Sequence, residues 1–131
     1  MMSAATLAYR SLAADAALEA VVGERIYAHV PARARKPYVV IAGTAARPWD
    51  TASDRGRLED VAIDVWSKGS RSVEIEAAVI RIEAALRFDV LAALDPNLVN
   101  VVRGETRIAR LPGRDLVRAT IRFRFTSEDP A

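Results

Sequence analysis

Cysteine is absent from this chain, and that absence removes two classes of site at once. No disulfide framework can staple the fold, and no thiolate can hold a metal. Such a composition suits a reducing cytoplasm. Histidine is almost absent too. His29 is the single one, so Ser-His-Asp and Cys-His arrangements have almost no material. Beside Tyr27 on an extended segment, it reads as a structural side chain. Lysine is also scarce: Lys36 and Lys68 are the only two, and the other seventeen of nineteen basic residues are Arg. Arginine suits bidentate and interface pairing, although a GC-rich genome also yields Ala- and Arg-rich chains. The longest uncharged run, Pro37 to Ala46, is ten residues, about half a membrane span. The N-terminal stretch has no basic n-region and is interrupted by Arg10 and Asp15. Neither a signal peptide nor a membrane anchor is expected.

What is present is enough for one core. With 131 residues, 51% of them hydrophobic, the chain reads as a single domain over 1–131, with 1–2 and 127–131 as loose ends. Seventeen acidic residues against nineteen basic leave a net charge of only +2, so the pI of 9.4 overstates the field.

The periodicities predict a helix over 3–22, with Gly23 in the position of a left-handed cap. "ERIYAHVP" follows as a short extended segment, and "ARARK" as a basic connector. "PYVVIAG" is a strand with Val39 and Ile41 on one face, Tyr38 and Val40 on the other. Residues 45–57 read as a polar connector, with Pro48, Asp50, Ser53, Asp54 and Gly56 as turn residues. "EDVAIDVWS" is the clearest strand. Val61, Ile63 and Val65 line one side; Asp60, Ala62, Asp64 and Trp66 line the other. A second helix is expected over 70–88, capped by Ser72, with Ile75, Val79, Ile82 and Leu86 as its apolar stripe. Residues 98–110 form a strand interrupted at Gly104, and "LPGRD" leads into "LVRATIRFRF". There Val117, Ala119, Ile121, Phe123 and Phe125 alternate with Arg118, Thr120, Arg122 and Arg124, as in a half-buried antiparallel strand. The fold class is therefore α+β in the order α-β-β-β-α-β-β, a mostly antiparallel sheet packed by two helices.

Chemistry finds little purchase on this pattern. No P-loop, nucleophile elbow or dinucleotide fingerprint occurs. Asp60 and Asp64, the best carboxylate pair, stand about 13 Å apart along one strand, too far for paired glycosidase carboxylates at roughly 5–9.5 Å. Asp50 and Asp54 share a loop without EF-hand spacing. No enzymatic activity, cofactor or metal is expected. Arg118, Arg122 and Arg124 form a basic stripe, with Arg107, Arg110 and Arg114 as candidate neighbours. Phosphate contact would use such a stripe. Pairing with Asp60 and Asp64 across a strand boundary would neutralise it instead. No aromatic interleaving supports stacking on bases.

In order and spacing, "LEAVVGERIYAHVP", "PYVVIAG", "RPWD", "VAIDVWSKG" and the amphipathic helix after them resemble the phage tail-completion, or tail terminator, proteins. The similarity runs from about Leu18 to Phe125. Its most specific parts are Arg25-Ile26-Tyr27, Pro37-Tyr38-Val39-Val40 and Val65-Trp66-Ser67. The C-terminal third matches in pattern, with the family's acidic turn replaced by the basic "RLPGRD".

The resemblance implies a non-enzymatic assembly protein that forms a ring, usually of six copies, on the finished tail tube. Such a ring stops tube growth and offers its opposite face to the head-side connector or stopper, while DNA passes through without sequence-specific binding. It would assemble in the bacterial cytoplasm and end in the neck of the particle. Gene transfer agents, domesticated phage-like particles, encode similar proteins. Another neck or head-completion adaptor is the nearest alternative, and a small nucleic-acid-binding module one of a different class. Arg47, Trp49, Asp50, Arg55, Arg57, Arg118, Arg122 and Arg124 are the candidate interface residues. Trp49, in a connector with few apolar neighbours, is expected to be wet in the free protein and to dock on another subunit or the tube. Its core-capping alternative is that the loop folds back. Trp66 is expected under a helix or at a subunit contact.

Overall fold

Residues 59–67 alternate with period two, and that alternation divides the molecule into a covered and a bare side. The computed structural model describes residues 2–51 and 54–129. Among them, β1 (Ile26–Tyr27), β2 (Tyr38–Pro48), β3 (Gly56–Lys68), β4 (Leu98–Leu111) and β5 (Leu116–Glu128) form one sheet. Its order is β1-β2-β3-β5-β4. β1 runs parallel to β2, and every other pair is antiparallel. The helices are α1 (Ala4–Ala13), α2 (Ala16–Val22), α3 (Ser72–Ala85) and α4 (Phe88–Ala92).

The α+β class and the element order are those expected, but each helical stretch is divided. The first breaks at Ala14–Asp15 because the Asp15 carboxylate accepts the Leu18 N–H at 3.2 Å and caps α2. The second breaks because Arg87 is extended, with φ −74° and ψ 150°. Ser72, expected as a cap, is the first helical residue. Arg71 holds the cap position without a side-chain bond to the backbone and pairs instead with Glu74 at 2.9 Å. Gly23 closes α2 with φ +61°, a conformation that disfavours a side chain.

All helices pack on one face. Leu7, Leu12, Leu18, Ile75, Ile82 and Leu91 bury against Val39, Val61, Ile63, Val65, Ile121 and Phe125. Polar ties fix the helices on this core. Glu59, on the same face of β3, accepts the Ala4 N–H at the start of α1 at 3.1 Å. The Ser11 hydroxyl donates to the Ala85 carbonyl at 2.6 Å. Arg81 on α3 grips Asp15 with two bonds, at 2.9 and 3.2 Å, which raises the guanidinium's pKa further.

Two expectations about ends need correction. The polar connector is shorter than residues 45–57, because β2 continues to Pro48 and β3 begins at Gly56. Gly43, Ala45 and Ala46 have little strand propensity of their own. Pairing with Ala62, Asp60 and Glu59 satisfies their backbone and overrides it. Ser53, read as a turn residue, lies outside the described residues. Ser127 and Glu128, read as a loose end, finish β5. Ser127 is buried, and the Glu128 N–H donates to the Asn97 carbonyl at 2.9 Å. Met2 packs against the core. Met1, Pro130 and Ala131 lie outside the described residues.

Candidate assembly surfaces

Strand register alone sets out the bare face, because residues directly opposite each other across a ladder share a side. Four rows cross it. Ala45, Asp60, Arg124 and Val102 form one, and Gly43, Ala62 and Arg122 the next. Val40, Asp64, Thr120 and Arg107 form the third; Tyr38, Trp66, Arg118 and Ala109 the fourth. Three of the candidate arginines thus lie on one strand of one face.

The first row is an ion-pair knot. Arg124 donates to Asp60 at 2.9 Å, and Arg47 reaches the other carboxylate oxygen at 3.4 Å. The bond from Arg124, and then the charges of Arg124 and Arg47, hold the Asp60 carboxyl below its ordinary pKa. The second row sets two small residues, Gly43 and Ala62, beside Arg122, and it leaves a shallow groove of about 630 Å³ bounded by Gly43, Ala45, Ala62, Val102, Gly104 and Arg122. In the third, the Thr120 hydroxyl donates to Asp64 at 2.6 Å. In the fourth, the Arg118 guanidinium lies 5.5 Å from the centre of the Trp66 ring. Tyr38 packs at 5.9 Å on Tyr27, which β1 brings to the same face. Burial, then the Asp64 charge and Tyr27, raise the Tyr38 hydroxyl's pKa.

The basic stripe is therefore largely spoken for: Asp60 answers Arg124, and Trp66 carries Arg118. Arg107 faces the same side but pairs with Glu105 at 2.9 Å. Among the described residues, no group of three or more His, Cys, Asp or Glu could hold a metal ion. Asp60, Asp64 and Glu105 on this face each accept from a donor.

Trp66 is not under a helix. Its side of β3 is the bare one, and it is half-buried beneath Arg118. Trp49 is not simply wet either. It is 37% exposed, and its ring lies on Gly56, where a Cβ would come within 2.8 Å of Trp49 Cε3. The Trp49 N–H donates to the Gly56 carbonyl at 2.8 Å, so the residue closes the β2–β3 hairpin. Sequence spacing could not supply this contact, because the absence of a side chain at Gly56 is what makes the seat. Asp50 sits in the same turn, its carboxylate 3.4 Å from the Gly56 N–H, and the Arg55 carbonyl accepts the Asp129 N–H at 2.8 Å. Arg57 belongs to the other side, 3.3 Å from Glu59.

Two further residues matter here, Tyr27 packed on Tyr38 and Glu59 at the start of α1. The alternation of β3 already placed Glu59 with Val61 and Val65. Only the parallel β1–β2 pairing brings Tyr27 to Tyr38.

The sheet thus keeps one face free of helices among the described residues, ion-paired in the middle and aromatic at one edge. The chain matches the family Tail completion protein gp17 over residues 8–128, and it belongs to that family. A search of curated protein sequences gave no match. Among solved structures, the chain is similar to one from the "Virion of native gene transfer agent (GTA) particle", with a TM-score of 0.80 and 22% identity. The likeness covers 97% of this chain and 96% of that one. At that identity it establishes the shared fold.

Proposed function

We propose that this structural tail-completion protein is a tail terminator. It forms a ring on the end of the tail tube, usually of six copies, stops tube growth and joins the tube to the head-side connector or stopper. Family membership over nearly the whole chain is the observation that carries this reading. The open edges of the sheet support it. β1 pairs with only Val39 and Val40, so β2 from Ala42 to Pro48 has no outer neighbour, and β4 has none along its length among the described residues. Two different free edges on one chain allow a heterologous contact, the kind that closes into rings. On this reading Arg47, Trp49, Asp50 and Arg55 at the hairpin tip contact a neighbour or the tube. Arg118, Arg122 and Arg124 face the same assembly from the bare side, while Arg57 steadies Glu59. DNA passes through without base readout, and the protein moves from the bacterial cytoplasm into the neck of the particle. No catalytic step is involved.

Deleting the gene tests the proposal. Electron microscopy is expected to show filled heads apart from tails of irregular or excessive length. Joined particles with tails of normal length would overturn the assignment. Separate heads beside tails of normal length would move the protein to another neck position.

A further inference from the structure

The net charge of +2 conceals a separation along the strand axis. At one end of the sheet lie the segment leading through β1 to β2, the β3–α3 connector and the β4–β5 turn. Hydrogen bonds from Arg110 to the Gly69 carbonyl at 3.2 Å and from the Gly69 N–H to the Asp115 carbonyl at 2.8 Å tie the last two together. Arg25 Nε closes the first segment on the Pro37 carbonyl at 2.8 Å, and the Tyr38–Trp66 pairing brings it alongside. Residues 24–37, 67–76 and 109–116 carry eight basic and four acidic side chains, a net of +4. At the opposite end the hairpin tip, the turn before β4 and the end of β5 are joined by the Glu128–Asn97 and Asp129–Arg55 backbone bonds. Residues 47–59, 94–97 and 125–129 carry three basic and six acidic side chains, a net of −3.

The basic end has spare charge. Arg33, Arg35 and Lys36 are exposed, and among the described residues neither they nor Lys68 and Arg114 have an ion-pair partner. Arg33 is held at φ +64°, which costs conformational energy and turns the connector sharply. Beside this cluster, on the bare face, stand Tyr27, Tyr38, Trp66 and Arg118. These are the residue types that dominate protein interface hot spots.

We infer that the basic end of the sheet is the docking surface for an acidic protein surface on one of the two structures the protein joins. The inference rests on the reading of the chain as a junction protein, and it adds the partner's chemistry and the end of the molecule that meets it. A protein partner fits better than nucleic acid for two reasons. The rings here pack on neighbours within the sheet, Tyr27 on Tyr38 at a tilt and Trp66 against Arg118, and do not form the open row on which successive bases stack. The cations also sit at the tips of three connectors rather than along a groove that could follow a phosphate backbone. Charge complementarity of this kind sets partner choice and encounter rate, and it weakens with salt.

The test uses the full chain with Arg33→Glu, Arg35→Glu and Lys36→Glu combined, in a connector outside the core. Co-sedimentation is measured with isolated tails and with isolated filled heads, both from the deletion strain, at low and at high salt. Wild type is expected to bind both. The triple variant, with an unchanged melting temperature, is expected to lose about tenfold or more in affinity for one of them and keep the other. The lost interaction should be the salt-sensitive one. Wild type binding neither particle would defeat the junction reading itself. Wild type binding both with the variant indistinguishable would overturn only the inference. Submicromolar binding of duplex DNA at physiological salt, abolished in the variant, would overturn it in favour of nucleic acid.

Discussion

The two faces of this sheet come from the same strands, yet they are held together by different physics. On the helix side, Val61, Ile63, Val65, Ile121 and Phe125 are almost wholly removed from water. Their stabilisation is area and packing, which any change of volume disturbs. On the bare side, Asp60, Asp64, Trp66, Arg118 and Arg124 hold one another by pairing at the edge of water. Such contacts are individually weak and sensitive to pH and salt. The covered half carries the packing that holds the fold, and the bare half is held by contacts that water can reach. A face that contributes little to the stability of the monomer can be shaped by what it meets.

The largest expected effect sets Phe125→Ala against Trp66→Ala. Phe125 is fully buried, and its truncation should cost about 3–5 kcal/mol in thermal or urea melts. Trp66 is the bigger ring, but it is half in water, and its loss should cost about 1–2 kcal/mol from partial burial and the Arg118 contact. Equal costs would mean that the bare face is as much a part of the core as the covered one.

The second test lies at a charged point of the covered face. Glu59 is 8% exposed, and it accepts the α1 N–H beside Arg57. Glu59→Ala strands both partners and should cost about 1–3 kcal/mol. Hydrogen exchange should speed up first in α1. Uniform loosening of the whole chain would contradict this account of how the helix is anchored.

The smallest effect concerns Asp60. Its pKa is depressed in the folded protein, so its stabilisation is fully present above the unfolded carboxyl value, about 4. It is lost as pH falls through the lower, folded value. Asp60→Asn should therefore flatten the acid limb of the stability profile, by at most about 1 kcal/mol for so exposed a pair. Stability near neutral pH should change little more than that. An unchanged acid limb would remove the Arg124–Asp60–Arg47 knot from the stability of the bare face.

Much of this was legible in the chain. The alternation in 59–67 and 117–125 named both faces of the central strands, and the stripe of α3 was read with Ile75, Ile82 and Leu86 in place. The Arg124–Asp60 pairing was one of two readings of the basic stripe, and the register chose it. Three features were not legible, each for a physical reason. The extension of β2 past Ala45 depends on a partner strand, not on the propensity of Ala45 or Ala46. The seat of Trp49 depends on the empty side of Gly56. The exposure of Trp66 depends on which face the helices choose, and a local pattern of polar and apolar residues does not reveal that for an indole.

The strand order has a kinetic consequence. β3 lies beside β5, and the ladder joins Gly56 to Glu128, 72 positions apart, and Lys68 to Leu116, 48 apart. Closing that seam means bringing together ends of a long loop that already contains α3, α4 and β4, so the fold has a high contact order. The β4–β5 hairpin and α3 are local and can form early, whereas the centre of the sheet comes last. Until it closes, β3 has an unpaired inner edge as well as the hairpin's outer one. In that interval a growing chain is at its most vulnerable to pairing with another copy in the wrong register.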